Sequence, residues 1–171
     1  MRTARYLLAA VLPLCVLLWL PAWPALISTF GDEVRLAARP VDPRDLFRGD
    51  YVSLTFEAAA MPLASFDLPP SGPVRVPRPT EGDVFYVSLE KDASGLHVPV
   101  MATPAPPDGP WLRARVVDPW GPWVHLDLGP SLKRFYVREG TGLELERADR
   151  LVVTVRIWRG EAVIASVEAV P

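Results

Sequence analysis

From Tyr6 to Gly31 the chain carries no charged side chain, and the 24 positions from Leu7 to Phe30 would extend about 36 Å as a helix. That is enough to cross a hydrocarbon core of about 30 Å, so the first constraint on this chain is the solvent its N-terminal segment needs. Pro13, Pro21 and Pro24 predict a kinked helix, since proline is tolerated better in membrane spans than in soluble helices. Arg2 and Arg5 precede the run, while Asp32 and Glu33 follow it. The excess of positive charge on the cytoplasmic side of a span therefore predicts a single pass through the cytoplasmic membrane with the N-terminus inside. Trp19 and Trp23 fall towards the outer end, where an aromatic belt would sit.

A cleaved signal peptide is the competing reading, and it needs small residues at positions −3 and −1 of the cut. A cut after Ala25 puts Trp23 at −3, and one after Ala22 puts Leu20 there. Leu14 before Cys15 is equally unsuited to lipoprotein processing. The expected organisation is a cytoplasmic tip and uncleaved anchor over residues 1–31, in lipid contact from Leu7 to Phe30, then an extracytoplasmic (periplasmic) β-rich domain over 32–171.

That remainder is long enough for one core. Without Arg2 and Arg5 it holds 16 basic and 20 acidic side chains, a net charge of −4. Such a balance excludes a basic nucleic-acid footprint. The single cysteine, Cys15, lies inside the apolar run, which excludes an intrachain disulfide, a thiolate zinc site and a CxxC redox motif. No phosphate-binding glycine loop or metal-ligand motif appears, so no cofactor and no metal is expected.

Beyond Asp32, short alternating segments are cut by many of the 20 prolines and 11 glycines, the pattern of many short strands. Candidate strands are Glu33–Ala38, Asp50–Ala58, Pro73–Pro77, Asp83–Lys91, Leu96–Ala102, Trp111–Asp118, Trp123–Leu128, Lys133–Arg138, Arg150–Arg159 and Ala162–Val170. About ten strands predict a mainly β fold, a small barrel or sandwich, following the N-terminal transmembrane helix. Val52, Leu54 and Phe56 should face its core. One short helix is expected from the capping-box spacing of Thr141 and Glu144, ending near Asp149. The last two strands read as a hairpin through Arg159-Gly160-Glu161, while Leu63–Pro79 and Thr103–Pro110 read as loops. Gly49-Asp50 and Gly82-Asp83 each precede a β-run, which suits a turn glycine followed by an aspartate that satisfies nearby backbone N–H groups.

The densest charged cluster is Asp42, Arg44, Asp45, Arg48 and Asp50. Its carboxylates could serve as general acid and base or hold calcium; the alternative is a turn in which they cap backbone donors and pair with the arginines. The Arg48-Gly49-Asp50 tripeptide matches an adhesion ligand only by a short, chance-prone string. His97 and His125 each fall in a strand, and His125 shares a face with Trp123 and Asp127. No serine lies in a nucleophile-elbow sequence. Trp111, Trp120 and Trp123 surround the turn Asp118–Pro122 and are expected to close the end of the β-core, with a peptide-binding platform or a membrane-interface contact as alternatives.

Gly49-Asp-Tyr-Val-Ser-Leu-Thr-Phe56 resembles the signature of the bacterial GDYXXLXY family, and Pro40–Asp45 and Arg134–Gly142 are similar to that family's other recurring stretches. Phe56 stands where the signature ends in tyrosine, so no hydroxyl is needed there in this protein. The resemblance implies a bacterial membrane-anchored protein without an assigned reaction, sometimes associated with multi-spanning membrane proteins. A second similarity, to signal peptidases, runs through Leu46–Val52 and Lys133-Arg134, but the position of the nucleophilic serine holds Val41, which cannot attack a carbonyl. It implies a catalytically dead copy. The function expected is therefore a non-enzymatic accessory or interaction module for a membrane or envelope protein, with Asp45, Arg48, Asp50, Tyr51, Trp120 and Trp123 as candidate binding residues. An envelope hydrolase using Asp42, Asp45, Asp50 and Glu139 is the alternative.

Overall fold

The computed structural model describes residues 2–41, 51–68, 78–136, 145 and 147–170. Helix α1 (Arg2–Phe30) runs through all three prolines. Near its end, the Ser28 and Thr29 hydroxyls donate to the carbonyls of Pro24 and Ala25, at 2.9 and 2.8 Å. The helix stops at Gly31, whose N–H still reaches the Ile27 carbonyl at 2.8 Å. A Cβ on Gly31 would press against that carbonyl and the Ile157 backbone, so only glycine lets the chain turn here. One residue later the first strand begins.

Ten strands follow: β1 (Asp32–Val41), β2 (Tyr51–Phe56), β3 (Ala60–Pro62), β4 (Val84–Lys91), β5 (His97–Thr103), β6 (Trp111–Asp118), β7 (Trp123–Asp127), β8 (Arg134–Tyr136), β9 (Arg150–Trp158) and β10 (Glu161–Val170). They form two antiparallel five-stranded sheets, ordered β10-β9-β1-β2-β8 and β3-β7-β6-β4-β5. The chain changes sheet through short 3-10 turns, at Glu57–Ala59 between β2 and β3 and at Pro130–Leu132 between β7 and β8.

One apolar core draws on both sheets. The period-two alternation explains which residues enter it: Val52, Leu54 and Phe56 from β2, Phe85, Val87 and Leu89 from β4, and Leu112, Ala114 and Val116 from β6 are buried. Phe66 and Phe85 meet edge to face at 5.1 Å inside it. Phe56 is a core side chain, which accounts for the absence of a hydroxyl at that position.

Strand β3 was not expected, because three residues carry no readable alternation; its pairing with β7 defines it and buries Met61. The β9–β10 hairpin is present, with Arg159 and Gly160 at positive φ in its turn. Leu63–Ser65, expected as loop, forms a 3-10 turn. The expected strand Pro73–Pro77 and the start of the expected short helix, Thr141–Glu144, lie outside the described residues.

Strand β1 gives its sheet two distinct ends. Asp32 pairs with Ile157 beside α1, whereas Val41 pairs with Ser53 nine residues later, about 30 Å away at strand rise. Around the near end the hairpin is fastened to the helix. Trp23 donates its indole N–H to the Glu161 carboxylate at 2.6 Å, and the Trp158 ring lies 5.4 Å from Trp23 and 6.5 Å from Phe30. Arg156 donates to the Gly31 carbonyl and pairs with Glu33 at 2.8 Å, locking strand β9 to the helix–strand joint.

Candidate functional site

Three of the expected binding residues, Asp45, Arg48 and Asp50, lie outside the described residues, as do Asp42, Arg44 and Glu139. What flanks them is clear. Val41 ends β1 and Tyr51 opens β2, where Tyr51 pairs with Tyr136 of edge strand β8. Both flanks therefore sit at the end of the sheet remote from α1.

The tryptophans do not close the core together, contrary to expectation. Strand β6 runs between them, separating Trp111 from Asp118 by seven residues, about 24 Å. Trp111 is half-buried, meets Tyr86 edge to face at 5.1 Å, and lies over Gly160 of the hairpin. Trp120 and Trp123 are instead 78% and 51% exposed.

The turn that carries these two indoles is nonetheless tied down. Arg78 donates to the carbonyls of Pro119 and Gly121 at 3.1 and 2.9 Å, and the Asp118 carboxylate accepts from the Trp120 backbone N–H at 3.0 Å. Leu63 donates its N–H to the Pro122 carbonyl at 3.0 Å, and Gly121 provides the φ of +84°. Two exposed indoles on a tied-down turn offer apolar area to a partner, and such a turn loses little entropy when it binds. Sequence reasoning could not see Arg78, which is 41 residues from Pro119.

A second polar feature is the ion pair between Lys133 and Asp127, at 2.9 Å. The Lys133 ammonium holds the Asp127 carboxyl below the usual carboxylate range against the opposing effect of partial burial, aided by the Gly129 N–H and by the charge of Arg115. Open clefts of about 320 Å³ lie on either side of it, one walled by Arg113, Arg115 and Glu161, the other by Phe56, Val117 and His125. The Asp127 carboxylate is therefore occupied by Lys133 and Gly129, and His125 stands exposed on β7. His97 has a structural part: its Nδ1 accepts the Arg35 backbone N–H at 3.2 Å. Among the described residues no group of three or more His, Cys, Asp or Glu side chains could hold a metal ion.

The signal-peptidase similarity finds its positions on three neighbouring strands, Val41 opposite Ser53 and Ser53 opposite Arg134. Valine occupies the nucleophile position, and Lys133 spends its ammonium on Asp127. No nucleophile–base pair results at these positions.

The signature strand itself is resolved into roles. Tyr51 opens β2, Val52, Leu54 and Phe56 enter the core, and the Leu54 N–H donates to the Lys133 carbonyl at 3.1 Å, so Tyr51–Phe56 builds the sheet. No curated protein and no solved structure matches the chain. The family described as GDYXXLXY protein matches residues 13–167, and with nearly the whole sequence covered, the chain belongs to that family.

Proposed function

We propose that this protein is a non-enzymatic, membrane-anchored interaction module: α1 crosses the cytoplasmic membrane with its N-terminus inside, and the β-built part captures a membrane or envelope protein on the outer side. The observation that carries the reading is the pair of exposed indoles, Trp120 and Trp123, on the turn fastened by Arg78. Aromatic anchors on a preorganised backbone are the residues that dominate protein interfaces. The bilayer supports the same role, because a partner confined to the same membrane meets the module at a high effective concentration. Tyr51 would extend the contact at the end of the sheet remote from α1, and Asp45, Arg48 and Asp50 remain proposed contacts on their sequence alone.

The test is photocrosslinking in intact cells from a benzoylphenylalanine placed at position 123, with position 90 on the exposed part of β4 as reference. A discrete adduct with a membrane protein, formed from 123 and suppressed by Trp120→Ala, is the expected outcome. Adducts indistinguishable between the two positions would refute an aromatic docking turn. A C-terminal alkaline phosphatase fusion checks the topology independently, since it is active only when exported.

A further inference from the structure

We infer that the tip of the β9–β10 hairpin is a phospholipid-binding element, with Trp158 and Arg159 in the headgroup layer and the Arg159 guanidinium on a lipid phosphate; this rests on the proposal that α1 crosses a bilayer. The argument is one of levels along the helix. Trp23 precedes Phe30 by seven residues, about 10 Å of helix, and helical side chains lean towards the N-terminus. The bond from Trp23 to Glu161 and the packing of Trp158 on Trp23 and Phe30 therefore hang the hairpin tip beside the last two turns of α1 rather than beyond them.

Two requirements then bracket the membrane boundary. If hydrocarbon reached Phe30, the charges of Arg159 and Glu161 would lie about 10 Å inside it, at a cost of several kcal/mol each. If it stopped well short of Trp23, the span would be too thin. The uncharged residues before Trp23, Tyr6 to Ala22, number 17 and give about 25 Å, already less than a core of about 30 Å. Both requirements are met when the hairpin tip occupies the interfacial layer, where indole rings are at their most favourable.

The chemistry of the tip fits a phosphate. Glu161 is engaged by Trp23, and Arg156 by Glu33 and the Gly31 carbonyl. Arg159 is exposed, adopts φ +51° in the turn, stands 5.1 Å over the Trp158 ring, and pairs with no carboxylate among the described residues. A guanidinium stacked on an interfacial indole keeps its N–H fork free for bidentate contact with phosphate oxygens.

The experiment uses the full-length chain with Cys15→Ser in phosphatidylethanolamine–phosphatidylglycerol vesicles, spin-labelled one site at a time at Leu17→Cys, Arg159→Cys or Val170→Cys. Val170 ends the same hairpin nine residues from Glu161, about 30 Å along β10, and serves as the aqueous reference. Collision accessibility should place position 17 deep, position 159 at phosphate depth with several-fold less access to a nickel chelate than position 170, and position 170 in water. A deep position 17 with position 159 as accessible as 170 overturns the hairpin inference alone. A nickel-accessible position 17 overturns the anchor and the inference together. In the unlabelled chain with isotopically labelled arginine, Arg159→Lys should remove part of the guanidinium dephasing by lipid phosphorus in solid-state NMR; no change would refute the phosphate contact.

Discussion

The hairpin turn can be probed at Gly160, where two separate costs act on one substitution. Gly160 has φ +79°, and a Cβ there would fall within the Trp111 ring. In Gly160→Ala, the left-handed backbone costs about 1–2 kcal/mol. Displacing the ring adds an overpacking cost of about 1–3 kcal/mol, for about 2–5 kcal/mol in all. Gly121 supplies the control, since it has φ +84° and open space where the Cβ would go. Gly121→Ala should therefore show only the backbone cost of about 1–2 kcal/mol. At about 3 °C per kcal/mol for a chain of this size, Gly160→Ala should melt about 6–15 °C below the parent and about 3–9 °C below Gly121→Ala. Thermal unfolding of the full-length chain in detergent micelles, followed by near-ultraviolet circular dichroism, measures this. A double-mutant cycle with Trp111→Ala should recover most of the difference between the two variants. Equal melting of Gly160→Ala and Gly121→Ala, or no coupling to Trp111, would refute the packing of the hairpin against β6.

Asp127→Asn should lower stability by about 0.5–1 kcal/mol at pH 7, a modest figure because Lys133 is largely exposed. Since folding depresses the Asp127 pKa, this contribution is present above the unfolded carboxylate value near 3.8 and disappears as pH falls through the lower folded value; a difference constant from pH 7 to pH 2 in urea titrations would contradict it. Met61→Ala, in the three-residue β3, should cost about 2–5 kcal/mol, as expected for a buried core methionine, and a loss below 1 kcal/mol in chemical denaturation would mean that β3 is dispensable. Trp120→Ala should leave the melting temperature within about 2 °C, because its ring is in water, while suppressing the adduct formed from position 123.

Local periodicity made most strands legible. Val52, Leu54 and Phe56 are buried as their alternation predicts, and β4, β6 and β7 follow the same rule because strand geometry sends successive side chains to opposite faces whatever the sheet partner. The pairing of Gly82 with Asp83 was also readable: Gly82 has φ +91°, and the Asp83 carboxylate accepts the Thr80 N–H at 2.8 Å. Strand β3 was invisible because Ala60-Met61-Pro62 exists as a strand only through β7.

By itself, then, the sequence determined that an apolar N-terminal helix precedes a β-built core, since both follow from chain-local periods and from the balance of apolar and charged residues. It could not decide where Trp111, Trp120 and Trp123 would go. Thirteen positions contain all three, yet β6 carries Trp111 to Gly160 and leaves Trp120 and Trp123 in water on a turn held by Arg78. Nor could it show that Trp23 meets Glu161 138 positions away, fastening the hairpin to the helix. Those contacts join segments that only the closing of the two sheets brings together, and no local pattern encodes a distance across a fold.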